Sequence, residues 1–182
     1  MDIKYPESVD VMDVNTLRAH IKSHKLNHFY IFTGPEWEGQ KLYLKQLSKI
    51  TGNDTYRVES IVDVYGKMRN KSFSNKNYIY IARDDKEFMQ NEKLQSQLES
   101  VLGNNMYILL LTNVDKRTKF YKKYKDSIVE FEYFKEAMLI KYIQKEISLS
   151  EANCKKLIEV CESDYGRILL EIDKIRSYVD AT

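Results

Sequence analysis

The clearest chemical motif in the sequence is an incomplete phosphate-binding loop. The residues GPEWEGQK, from Gly34 to Lys41, follow an aromatic and β-branched run, as a P-loop follows a strand. Gln40 occupies the position of the lysine that contacts the terminal phosphates, and Lys41 that of the hydroxyl residue that holds magnesium. Glu36 and Glu38 place negative charge where phosphate would lie. The segment therefore favours a structural strand–turn–helix junction over nucleotide binding.

The other catalytic and metal-binding patterns are incomplete as well. Asp84 and Asp85 follow a strand-like run, as magnesium-holding acids would, but Arg83 intervenes, which favours a solvated loop. His20 and His24 have the helical spacing of a metal pair, yet zinc needs a third ligand, and HIKSH lacks the glutamate of HExxH. The sequence has no Gly-x-Ser-x-Gly elbow and no cysteine beside a histidine. We therefore expect no enzymatic activity, no metal and no cofactor.

A basic stretch, DKRTKFYKKYKD, is the main candidate for contact with a polyanion. Its cations are Lys116, Arg117, Lys119, Lys122, Lys123 and Lys125. At helical spacing Phe120 and Tyr124 would face inward and leave a cationic outer face, which could bind phosphates, or the aromatic rings could stack on bases. The alternative is an ordinary solvated helix, since 29 basic residues nearly balance 27 acidic ones over the whole chain.

Phe73 is an isolated aromatic residue in the polar, cationic segment SIVDVYGKMRNKSFSNKN. Exposed aromatic side chains in loops are favoured anchors of protein interfaces. From the residues alone, Phe73 is either a plug in the core or an anchor for a partner.

Hydrophobic patterns predict the elements that position these residues. Strand-like runs lie at 28–33, 55–59, 77–82, 106–112 and 128–131, and helical patterns at 14–25, 38–50, 61–69 and 92–102. Continuous apolar strands that alternate with helices predict an α/β fold with a parallel sheet covered on both faces.

The pattern changes near residue 135. The segments 135–148, 150–162 and 164–180 predict three helices with no strand between them, with Ser150 as one N-cap and Ser163 or Asp164 as another. We therefore expect an α/β domain over residues 1–134 and a small three-helix domain over 135–182.

Composition excludes several classes of protein. A hydrophobic content of 43% is too high for a disordered chain, and 6 glycines and 2 prolines are too few for a collagen-like one. No apolar run is long enough to span a membrane, and the first residues carry no signal-peptide core, so we expect a cytoplasmic protein. Cys154 and Cys161 lie too far apart on one helix for a disulfide, which predicts buried, reduced thiols.

Taken together, these segments resemble the delta subunit of the bacterial DNA polymerase III clamp loader. The resemblance runs through FYIFTGPEWEGQKLYLKQL, KSFSNKNYIYIARDD, MYILLLTNVDKRTKFYKKYK and SDYGRILLEIDKIRSYV, in that order. The strings VDKRTKFYK and LLEIDKI carry it most specifically.

The resemblance implies a RecA-like domain of the AAA+ type followed by a helical lid. It also implies a degraded P-loop, because delta subunits keep the fold but do not hydrolyse ATP. Thr112 and Asn113 fall where a nucleotide sensor would lie, and Arg167 falls near the position of a second sensor. Without a phosphate cradle, we interpret all three as inherited structural positions.

The resemblance further implies that the protein binds and opens the ring-shaped DNA sliding clamp during replication. An apolar pair of the family inserts into a pocket of the clamp, and this pair falls on Ser72 and Phe73. Ser72 departs from the usual large apolar residue. Met68 and Tyr65 could supply further contacts, and Lys71 flanks the pair.

The expected partners are the sliding clamp (the beta subunit), the other clamp-loader subunits and primer-template DNA, within a DNA polymerase holoenzyme. The family continues into a helical collar domain, so we expect this chain to be either a truncated piece or a short form without the collar. The alternative function is a DNA-binding module of a replication complex that uses residues 116–125.

Overall fold

Five parallel strands form the centre of the molecule. The computed structural model describes residues 14–69 and 76–180, without the side chains of the last two. The strands lie in the order β2-β3-β4-β1-β5. Their bounds are β1, Phe29–Thr33; β2, Asp54–Arg57; β3, Tyr78–Arg83; β4, Met106–Leu111; and β5, Ile128–Glu130. The predicted α/β fold with a parallel sheet is confirmed.

Helices cover both faces of this sheet. Their bounds are α1, Val14–Ser23; α2, Trp37–Thr51; α3, Tyr65–Arg69; α4, Lys86–Gln90; α5, Glu92–Leu102; α6, Lys119–Tyr124; α7, Glu136–Glu146; α8, Glu151–Val160; and α9, Tyr165–Asp180. A 3₁₀ turn, Ile61–Val64, leads directly into α3. The sequence pattern did not predict α4, whose five residues are too few to show a helical period.

The central strands are apolar throughout because both of their faces are covered. All six residues of β4 are buried. Ile108 and Leu110 pack with α1, α2 and the last three helices, whereas Tyr107 and Leu109 pack with α3 to α6. This alternation explains why β4 shows a continuous apolar run rather than a polar–apolar repeat.

The short edge strand β2 differs from its prediction. It spans Asp54–Arg57 rather than 55–59, and all four of its residues are exposed. An edge strand with one paired side has little apolar burial to fix its register, so sequence predicts its bounds poorly.

The three helices α7 to α9 form a module without strands, as the sequence predicts. Ser150 caps α8 by accepting a hydrogen bond from the Asn153 amide at 3.3 Å. Asp164 accepts one from the Arg167 amide at 2.9 Å at the start of α9. Cys154 and Cys161 are buried free thiols, and both pack in the same apolar cluster as one face of the sheet.

Gly34, the residue after β1, is fixed by a close backbone approach. Its φ angle is +101°, and a Cβ placed there would lie 2.4 Å from the Phe131 carbonyl oxygen. The Phe131 amide donates to the Thr33 carbonyl at 2.8 Å, and the Glu36 amide donates to the Phe131 carbonyl at 3.1 Å. The chain after β5 therefore closes onto the turn after β1, and only glycine fits between them.

We expect Gly34→Ala to destabilise the fold by about 2–5 kcal/mol, since it combines a disfavoured φ angle with a backbone clash. The matched control is Gly66→Ala in α3, where an added Cβ meets nothing within 4 Å and helix propensity improves. Urea unfolding of both variants measures the effect, and equal midpoints for the two would contradict it.

Candidate functional site

The cradle turn, residues 34–41, is closed by its own side chains. Gln40, at the position of the P-loop lysine, is 4% exposed, and its Nε2 donates to the Gly34 carbonyl at 3.0 Å. Gln40 therefore forms a hydrogen bond within the turn at the position where a P-loop has its phosphate-contacting lysine. The prediction of a structural junction at this turn agrees with this geometry.

Glu36 lies at the centre of the cradle turn and is 2% exposed. Its Oε2 atom is buried and has no hydrogen-bond partner within the described residues. Burial, helped by the negative charges of Asp164 and Glu38, raises the pKa of this carboxyl to about 7, although the backbone N–H groups of Gly39 and Glu38 act to lower it. The turn that corresponds to a P-loop in sequence therefore holds an internal carboxyl group.

The start of α9 packs directly on the cradle turn. A Cβ placed on Gly166 would lie 2.6 Å from Glu38 Cγ. Tyr165 is buried, and its ring meets Phe134 edge to face at 4.9 Å between centroids. Lys41, at the position of the magnesium-binding hydroxyl residue, pairs instead with Glu38.

The acids after β3 are structural, and the interpretation as a solvated loop is wrong for one of them. Asp84 accepts from Thr112, at 2.9 Å from the amide and 2.6 Å from Oγ1. Asp85 is 2% exposed. Its carboxylate accepts from the Ile61 amide at 2.9 Å, the Phe88 amide at 3.0 Å and the Tyr107 hydroxyl at 2.9 Å. Asp85 is buried because it caps α4 and also accepts a hydrogen bond from the 3₁₀ turn before α3.

The positions corresponding to nucleotide sensors are engaged elsewhere. Thr112 is bound to Asp84, as described above. Arg167 is half-exposed and pairs with Glu162 at 3.1 Å, at the turn between α8 and α9. Both side chains are thus bound to acidic residues outside the cradle turn, which agrees with their interpretation as structural positions.

The two helical histidines do not form a metal pair. His20 lies 3.2 Å from the Tyr30 hydroxyl through its Nδ1. His24 has a φ angle of +54°, beyond the last residue of α1, so it leaves the helical face on which the pair was predicted. Among residues 14–69 and 76–180, no cluster of three or more His, Cys, Asp or Glu side chains could hold a metal ion.

The residues predicted to bind the clamp divide into two groups. Tyr65 and Met68 belong to α3 and face inward, with 6% and 8% of their surface exposed. The Tyr65 hydroxyl donates to the Leu94 carbonyl of α5 at 3.1 Å. Lys71, Ser72 and Phe73 lie outside the described residues. The two inward residues therefore support α3 in the core, and little of their surface is accessible to a partner.

The basic segment presents its cations to solvent, while its aromatic rings are largely engaged in the core. Lys116, Arg117, Lys119, Lys122 and Lys123 are all exposed. Phe120 and Tyr121 are buried, and Tyr124 is half-buried, so these rings are not free to stack on bases.

Two of these cations have nearby acidic partners. Arg117 pairs with Asp115 at 3.0 Å, and Lys119 lies 3.5 Å from Glu92. The Lys123 amine donates to Gln95 Oε1 at 3.3 Å. A groove of about 750 Å³ between α4, α5 and α6 runs beside Lys119 and Lys123. The segment thus offers a cationic outer face of moderate net charge.

Sequence reasoning missed the roles of Gln40, Glu36 and Asp85. Only the pattern Asp85-x-x-Phe88 gave a detectable signal, because an aspartate three residues before a buried position is typical of a helix N-cap. Asp164, which contributes to the raised pKa of Glu36, lies more than 120 residues away in sequence, and no local pattern records this proximity. No helix in the described part of the chain is long and apolar enough to cross a membrane.

Strand order, the cradle turn after β1 and the helical module together define a RecA-like fold of the AAA+ type. No family model matches the sequence, and no curated protein matches it. Solved structures do share the fold. The DNA clamp loader delta protein of Bacillus subtilis matches with a TM-score of 0.57 and 13% identity, over 91% of this chain and 57% of that protein.

The Holliday junction branch migration motor RuvB of Thermotoga maritima also shares the fold. It matches with a TM-score of 0.56 and 11% identity, over 91% of this chain and 59% of RuvB. A point variant of the same RuvB gives a TM-score of 0.59, with 61% of its length covered. This chain therefore spans less than two thirds of each of these proteins, and at such low identity the likeness establishes the fold alone.

We expect millimolar Mg·ATP to leave the thermal unfolding midpoint of the chain unchanged. A ligand that binds only the folded state raises stability with its concentration, but here Gln40 and Glu36 fill the cradle turn. Differential scanning fluorimetry measures the midpoint, with an intact P-loop ATPase as the positive control. A saturable rise with ATP would overturn the closed-cradle account and restore an active ATPase as a candidate.

Proposed function

We propose that this chain is a clamp-loader delta-like protein that binds and opens a DNA sliding clamp without hydrolysing ATP. The observation that carries the proposal is a retained AAA+ fold whose nucleotide cradle is closed by its own residues. Gln40 bonds to Gly34, and Glu36 is buried where phosphate would lie. A motor such as RuvB would need that cradle open, whereas a protein that acts by binding alone would not.

The part of the fold that serves this function is α3 together with the residues that follow it. Two hydrogen bonds hold this helix against α5: Tyr65 donates to the Leu94 carbonyl, and Arg69 Nη2 donates to Gln97 Oε1 at 2.7 Å. Met68 of the same helix is buried. The helix that precedes Lys71, Ser72 and Phe73 in sequence is therefore anchored in the core.

The energetics point to a weak but specific anchor. Burying one phenylalanine side chain contributes about 1.5–3 kcal/mol, and Ser72 adds little apolar area. The cations Arg69 and Lys71 flank the anchor and favour an acidic rim on the partner. Opening then follows if the chain binds the open ring more tightly than the closed one, since a ligand shifts an equilibrium by its differential affinity.

This function places the chain in a replication complex, with the sliding clamp and the other clamp-loader subunits as partners. The chain itself would carry no catalytic residue, metal or cofactor, and the polymerase and ATPase activities would belong to other subunits. A cytoplasmic location follows from the same role.

A second candidate is a DNA-binding module that uses the outer face of α6. The observation in its favour is the exposure of Lys116, Arg117, Lys119, Lys122 and Lys123 along one short segment. Primer-template DNA would bind through its phosphates, because the aromatic rings between these cations are engaged in the core, and such binding weakens steeply with salt.

We expect Phe73→Ala to weaken binding to a purified DNA sliding clamp about 10- to 150-fold, the factor that corresponds to losing one buried phenylalanine. The fold should remain intact, as judged by circular dichroism. Surface plasmon resonance with an immobilised clamp measures the affinity. Tyr133→Ala, which removes an aromatic ring that is 48% exposed elsewhere, is the matched control and should bind as the parent does.

Charge reversal separates the two candidates in the same assay. The double variant Lys122→Glu, Lys123→Glu should keep clamp affinity if Phe73 is the anchor. Equal clamp affinity of Phe73→Ala and the parent would show that the anchor is wrongly assigned. Salt-dependent retention of primer-template DNA that the double variant abolishes would favour the DNA-binding module.

A further inference from the structure

The buried carboxyl of Glu36 belongs to the turn on which the start of α9 packs, and it interacts with Asp164 and Tyr165 there. Its backbone belongs to the turn after β1, and the start of α9 packs against the same turn. Its Oε2 atom is enclosed and lacks a hydrogen-bond partner within the described residues, although the side chain is only 2% exposed. Backbone N–H groups of Gly39 and Glu38 reach this carboxyl and favour its ionised form, but burial outweighs them. A buried carboxylate with one oxygen unpartnered is costly to ionise, so this contact is most stable when the group carries a proton.

The groups facing Glu36 from the neighbouring elements are acidic or neutral. Glu38 faces it from α2, and Asp164 faces it from the turn before α9. Tyr165, at the start of α9, interacts with Glu36 as well and is itself buried. Ionisation of Glu36 would therefore place three carboxylates against one another with no cation among these neighbours.

The cations closest in sequence to Glu36 and to Asp164 form ion pairs with other acids. Lys41 pairs with Glu38, and Arg167 pairs with Glu162 at 3.1 Å. Neither contact satisfies the Glu36 carboxyl. The interface between the cradle turn and α9 is consequently sensitive to the protonation of a single group.

We propose that Glu36 is a proton-linked latch that holds α9 and its three-helix module against the α/β part of the chain when protonated and loosens this contact when ionised. The inference is independent of clamp binding, because it concerns only the contact between the cradle turn and α9. Its consequence is that the orientation of the helical module responds to pH, or to any partner that supplies a cation or hydrogen-bond donor to Glu36.

The direction of the pH dependence follows from burial. The folded protein holds this proton more tightly than the unfolded chain, because burial raises the pKa of Glu36 from 4.5 to about 7. Stability is therefore highest below the ordinary glutamate range and falls as pH rises through about 7. Above that pH, the full penalty of an ionised, buried carboxylate remains.

The test compares the parent with Glu36→Gln over pH 5.5 to 8.5 by thermal unfolding, with Glu159→Gln, which changes an exposed acid of α8, as the control. We expect the parent and the control to lose several degrees of unfolding midpoint as pH rises, while Glu36→Gln loses less and is the most stable of the three at pH 8.5. Parallel pH profiles for the parent and Glu36→Gln would overturn the proposal.

Hydrogen exchange distinguishes a latch from a general loss of stability. After correction for intrinsic rates, protection in the first turns of α9 should fall in the parent as Glu36 ionises, while protection in β4 remains high. Protection in α9 that is independent of pH would overturn the latch. If Glu36→Gln does not fold, ¹³C carboxyl NMR of the parent decides: a titration midpoint near 7 supports the proposal, and one in the ordinary glutamate range overturns it.

Discussion

The contact between Gly34 and the Phe131 carbonyl is the constraint on which the site depends. It brings the end of β1, the end of β5 and the start of α2 to one point, because the backbone atoms meet where no Cβ fits. Two consequences follow. Gln40 is placed within reach of the Gly34 carbonyl, and the Glu36 amide is held by Phe131 so that its side chain lies inside. The chain after Phe131 then leads through Phe134 to Tyr165, which fixes α9 over the cradle turn.

Different sets of helices cover the two faces of the sheet. One face is covered by α1, α2 and the helical module, and there the closed cradle turn has become part of the packing. The other face is covered by α3 to α6, of which α6 belongs to the cationic segment. Asp85 links the 3₁₀ turn before α3, α4 and β4 by three hydrogen bonds, so a single buried acid joins three elements on this face.

The sequence predicted those parts of the fold that are determined by the residue pattern of a single segment. Continuous apolar runs identified the central strands, since burial on both faces demands apolar residues at every position. The exposed edge strand β2 was misplaced because little burial fixes its register. Gln40, Lys41, Glu36 and Glu38 led to the prediction that the cradle turn is a structural junction. The burial of Glu36 and the core positions of Tyr65 and Met68 were not predicted, because they depend on contacts with elements distant in sequence.

The central claim is that binding alone, without nucleotide, opens a clamp. The most direct measurement is fluorescence energy transfer between two dyes placed across one subunit interface of a purified DNA sliding clamp. The account predicts that adding this chain in the absence of ATP lowers the transfer in a saturable manner. Unchanged transfer at saturating chain, or a change that requires ATP, would contradict the account.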